Sequence, residues 1–123
     1  MTDTPHTPEE YLDGHPGALP IYRKLCKLLD SLGPYDIRVT KSQIAFRRKR
    51  GFAYLWLPGQ YLRNPDAEVA LSFVLDHEES SKRFKEIAHP TPNRWTHHLE
   101  VHHPDDLDEE VRSWLRAAAD SAQ

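Results

Sequence analysis

Two stretches of this chain hold residue types that do chemistry. Residues 46–52 read FRRKRGF, with Arg47, Arg48, Lys49 and Arg50 held between two aromatics and closed by Gly51. Consecutive cations neutralise phosphates, and flanking rings stack on bases, so cations beside Tyr54 and Trp56 would suit single-stranded nucleic acid or another polyanion. Lys41 adds to the same set. The same stretch also reads as a well-solvated hairpin turn that protects a sheet edge. Both readings stand.

Residues 94–103, RWTHHLEVHH, hold four of the eight histidines. On a strand, alternation puts His98, Glu100 and His102 on one face, roughly 6.5–7 Å between successive members. Two imidazoles and a carboxylate are ligands for zinc or another divalent metal, with His77, His89 or Asp76 as further donors. The alternative is a polar sheet face, with His97 turned inward beside Trp95. The acidic run DDLDEE at 105–110 fits the first turn of a helix, where carboxylates meet the positive end of the dipole.

Hydrolase, nucleotide-binding and calcium-loop motifs are missing, and Ser42, Ser72, Ser80 and Ser81 show no partner pattern. Cys26 is the sole cysteine, so no intrachain disulfide forms, and it reads as a small half-buried hydrophobe. The expectation leans away from an enzyme.

These residues need elements to position them. Residues 1–17, acidic and proline-rich, read as a disordered tail. A single domain follows at 18–120. Ile21, Leu25, Leu28 and Leu32 make the stripe of a helix at about 20–32, stopped by Gly33 and Pro34. Alternation predicts strands at 36–40, 43–47, 52–57, 68–75 and 94–102, with 43–57 a hairpin around the basic turn. Residues 76–93 read as a long loop carrying at most a short strand at 84–88. Leu107, Val111, Trp114 and Ala118 mark a second helix at about 106–119. The expected fold is α+β, two-layered: a mainly antiparallel sheet of four to five strands with both helices on one face.

The chain has 123 residues and a net charge of −3, which fits one domain and argues against a dedicated nucleic-acid binder. Its charge is uneven. Arg38, Lys41, Arg47, Arg48, Lys49, Arg50 and Arg63 face only Asp36 between residues 36 and 63, and both ends are acidic. The sequence has no apolar run of roughly 18–20 residues and no basic-then-apolar leader, which points to the cytoplasm and away from a membrane.

The stretches KSQIAFRRKRGFAYLWL, LSFVLDH, SKRFKEI, PNRWTHHLEV and DDLDEEVRSWL resemble an uncharacterised bacterial family, a domain of unknown function (five-six-five-five), over about residues 20–118. Its signatures match Lys41, Ile44 and Phe46, and Trp95, His97 and His98. The resemblance implies a compact bacterial α+β domain, loosely labelled a predicted transport protein, and carries over no catalytic residue.

The leading functional expectation is weak nucleic-acid or polyanion contact through Lys41, Arg47, Arg48, Lys49 and Arg50 with Tyr54 and Trp56. A second is a protein–protein module using the open sheet face. A third is a metal or small-ligand site at His98, Glu100 and His102, the one reading that involves a cofactor.

Overall fold

The computed structural model describes residues 5–123. Residues 1–4, the start of the expected tail, lie outside the described residues. The rest of that tail is not free. Thr7 caps a short helix α1 (Pro8–Tyr11) by accepting the Glu10 N–H. Tyr11 and Leu12 are buried in the core. The Tyr11 hydroxyl accepts the Leu57 N–H and faces the Ser42 carbonyl and Gln60 Oε1 at 2.9 and 2.8 Å. Two apolar residues in an acidic, proline-rich stretch were too few to show as a period.

Helix α2 (Ala18–Asp30) buries Ile21, Leu25, Leu28 and Leu29 along one stripe. Pro20 falls in its first turn, where a missing N–H breaks no helical bond. Gly33 has φ +120°, a region a Cβ disfavours, and there the chain turns into the sheet.

Six strands follow: β1 (Asp36–Val39), β2 (Ile44–Arg47), β3 (Gly51–Trp56), β4 (Val69–Leu75), β5 (Phe84–Thr91) and β6 (Arg94–Val101). They form one antiparallel sheet in the order β1-β2-β3-β4-β6-β5. The expected count of four to five is therefore corrected to six. The added strand is β5, which occupies the second half of the loop predicted at 76–93 and extends the short strand expected at 84–88. Pro90 is tolerated because β5 is an edge strand whose pairing to β6 is interrupted by two register shifts.

Helix α3 (Glu109–Ser121) begins three residues later than predicted. Asp108, not an earlier acid, caps it by accepting the Val111 N–H at 3.1 Å. Asp105 and Asp106 belong to a separate 3-10 turn, Pro104–Asp106, capped by His103. Arg83 then ties β5 to this helix start. It donates to both Asp108 oxygens, to Glu110 and to the Asp106 carbonyl, and lies 5.8 Å from the Trp114 ring centre.

Phe46, Leu55, Leu71 and Phe73 of the sheet pack with Leu25 and Leu29 of α2 and Leu115 of α3 in one core. His97 is fully buried within it, stacked on Phe73 with ring centres 5.3 Å apart. Its Nε2 accepts the Glu79 N–H at 3.0 Å, so the ring proton sits on Nδ1 and goes to the Trp95 carbonyl. Burial lowers its pKa, against the opposing pull of that carbonyl.

Candidate functional site

The sheet leaves one face free of α2 and α3. Alternation sends Tyr54 and Trp56 of β3, Ala70 and Ser72 of β4, and His98 and Glu100 of β6 to that face. The register aligns them in two cross-strand rows. One runs Tyr54–Ser72–His98–Glu86, and the other Trp56–Ala70–Glu100.

The first row is held by side-chain hydrogen bonds. Trp56 Nε1–H donates to Ser72 Oγ at 2.8 Å, and Ser72 Oγ lies 2.6 Å from His98 Nδ1. All three groups are satisfied when the Ser72 O–H donates to Nδ1, which makes His98 the neutral tautomer protonated at Nε2. Burial holds the His98 pKa below the ordinary value, with the charge of Glu86 pulling it back up. Serine and histidine at this distance have the residue types of a nucleophile and its base. Yet Ser72 is only 3% exposed and its oxygen already serves two neighbours, so a substrate atom cannot reach it in this conformation. The chain fixes the indole instead.

The second row makes a hollow. Ala70 is a single methyl between two large side chains, and at 3% exposed it forms the floor. The result is a cleft of about 360 Å³ lined by Trp56, Pro58, Leu62, Ala70, Lys85, Glu86, His98, Leu99 and Glu100. Pro58 opens a 3-10 turn, Pro58–Gln60, that carries Tyr61 and Leu62 over this end of the sheet. Tyr61 meets Trp56 edge-on at 5.9 Å, yet Tyr61 and Leu62 remain 61% and 58% exposed.

The basic hairpin looks different from its sequence. Arg48 is nearly covered, and it donates to the Leu32 and Pro34 carbonyls and pairs with Asp120 at 3.5 Å. Arg50 gives its backbone N–H to Ala122 and its guanidinium to the Ser121 carbonyl. Both arginines thus meet the negative end of α3, whose last carbonyls lack helical partners. Gly51 is required for space: a Cβ there would collide with the Tyr54 hydroxyl. Arg47 and Lys49 form no ion pair among the described residues. They border a hollow of about 730 Å³ that Asp36 and Asp120 also line. Lys41 lies in the turn between β1 and β2, at the opposite end of β2 from the hairpin tip. Trp56 is at that far end too, beside Ser72 and His98. The seven residues predicted to act together therefore fall into separate places.

The histidine triplet is also divided. β6 ends at Val101, so His102 leaves the alternation, and its N–H goes to the Asp106 carboxylate. His98 is committed to Ser72, His77 pairs with Asp76, and His89 stacks on Trp95. Among the described residues, no three His, Cys, Asp or Glu side chains gather to hold a metal.

Trp56, His98 and Glu100 are legible in the sequence as site residues, whereas Ser72, Ala70, Leu62 and Glu86 are not. The one available signal was the parity of β4: with Val69, Leu71, Phe73 and Leu75 inward, Ala70 and Ser72 must face out.

The family described as Domain of unknown function (DUF5655) matches residues 8–122, taking in α1 as well as the rest of the fold. The chain belongs to the DUF5655 family. The match extends beyond the expected 20–118 and agrees with the burial of Tyr11 and Leu12. No curated protein and no solved structure matches this DUF5655 chain. No helix among its described residues is long and apolar enough to cross a membrane.

Proposed function

We propose that this DUF5655 domain is a binding protein for a small organic ligand, with the cleft above Ala70 as its site. The observation that carries the reading is the fixed indole: Trp56 is locked by Ser72 and His98 at the wall of a cleft of about 360 Å³. Ligand sites are concave, largely apolar and preformed, with a few placed polar groups. Here Trp56, Leu62 and Leu99 supply apolar wall, and His98, Glu86 and Glu100 supply polar contacts. A fragment screen by ligand-detected NMR tests this. Hits are expected on the wild type and lost in Ala70→Leu, which fills the floor. Hits unaffected by that substitution sink the reading.

A second reading keeps the polyanion contact in reduced form. Arg47 and Lys49 take part in no ion pair among the described residues, so of the hairpin cations these two are available to phosphate. Arg48 is committed to the Leu32 carbonyl and Arg50 to the Ser121 carbonyl, which removes the other two. Anisotropy of labelled oligonucleotides at roughly 50 and 200 mM salt checks it, since phosphate contacts weaken steeply over that range. An Arg47→Gln/Lys49→Gln double variant should abolish low-salt binding. Binding that the variant retains counts against this reading.

A further inference from the structure

The cleft's charge narrows its ligand class, an inference that rests on the small-ligand reading above. Glu86 and Glu100 both line the cleft, on neighbouring strands flanking His98. Neither carboxylate takes an ion pair or a side-chain hydrogen bond among the described residues. The one cation in the lining, Lys85, is drawn away to Asp66 at 3.3 Å. His98 gives Nδ1 to Ser72, which leaves its Nε2 as a donor rather than a positive charge when the ring is neutral.

Trp56 stands opposite these acids. Its row partner Ala70 separates it from Glu100 by two strand spacings, roughly 10 Å. That is the span of a small amphipathic molecule, with a flat apolar body against the indole and a charged head between the carboxylates. An indole also attracts a cation through its ring quadrupole, so both walls favour the same sign. An anionic head would meet two carboxylates with no free cation to offset them.

We infer that the cleft takes a small organic cation: a primary or substituted amine on an aromatic or branched apolar body. Recognition is by charge and shape, with no bond made or broken.

Calorimetric titration with three probes of matched size tests the inference: phenethylamine, 2-phenylethanol and 3-phenylpropionate. The amine is expected to bind most tightly, the alcohol more weakly, and the carboxylate least. Glu86→Gln and Glu100→Gln lie at exposed and half-buried surface positions and should fold normally. Each should weaken the amine about two- to fivefold, in line with partly exposed charge pairs, and weaken the alcohol less. Alcohol or carboxylate binding as tight as the amine's overturns the cation assignment and leaves the ligand cleft standing. No binding by any of the three overturns both.

Discussion

Ser72 Oγ and His98 Nδ1 lie 2.6 Å apart on adjacent strands, and the same oxygen accepts the Trp56 indole N–H. One hydroxyl thus sets the position of two rings on the open face. Removing it leaves a part-buried indole N–H and an imidazole nitrogen without a partner. Ser72→Ala should cost about 1–3 kcal/mol, the range for orphaned polar groups. Urea denaturation measures it. A loss below about 0.5 kcal/mol would mean that water replaces the hydroxyl and that the indole is not locked by this chain.

The buried His97 predicts a pH dependence. Its folded pKa lies below the ordinary value because of burial, and protonating Nε2 would break the bond from the Glu79 N–H. The unfolded chain therefore binds the proton first. The stabilisation is complete above the unfolded histidine pKa, about 6.5, and is lost as pH falls below it toward the lowered folded value. His98 is shifted in the same direction and adds to the slope. Melting temperature followed from pH 7.5 to 5 should fall in the wild type and flatten in His97→Gln. Equal slopes would show that other groups dominate.

The hairpin arginines should behave as structural residues. Arg48→Ala removes two carbonyl contacts and an ion pair from a largely covered side chain, and should cost about 1–3 kcal/mol. Lys49→Ala, at an exposed position, should stay within about 0.5 kcal/mol. Chemical denaturation of the two variants decides between a buttress and a free basic patch. Equal, negligible effects would favour the patch.

The N-terminal segment offers a further test. The Tyr11 hydroxyl joins Ser42, Leu57 and Gln60, and burial pushes its pKa up to about 12. Tyr11→Phe leaves the Leu57 N–H unpaired and should cost about 1–3 kcal/mol. A stability unchanged in thermal denaturation would show that the segment packs only loosely on the domain.

Much of the fold could be read from local pattern. The stripe Ile21, Leu25, Leu28 and the alternation of Val69 to Leu75 each follow one period, so helix and strand were legible. β5 was not, because Pro90, Pro92 and mixed polar residues hide a strand that survives only at an edge. Asp105 and Asp106 looked like a helix start, but Asp108 holds the cap, and sequence alone does not rank neighbouring acids. The site was legible only in half. Trp56 and His98 stood out by type, whereas Ala70 matters for its smallness and Ser72 for its register partner. Both properties depend on β4 pairing with β6, a long-range choice that skips the intervening strand. The hairpin failed for a similar reason: the partners of Arg48 and Arg50 lie in the connection after α2 and at the C-terminal end of α3, none of them local to the turn.

If the cleft is the ligand site, ligand lies over Ala70 against Trp56. The most direct measurement follows the Trp56 indole N–H resonance during titration with the strongest fragment from the screen. This resonance and the His98 ring signals are expected to move most, and neither should move in Ala70→Leu. Shifts concentrated at Arg47 and Lys49, or unchanged by the filled floor, would contradict it.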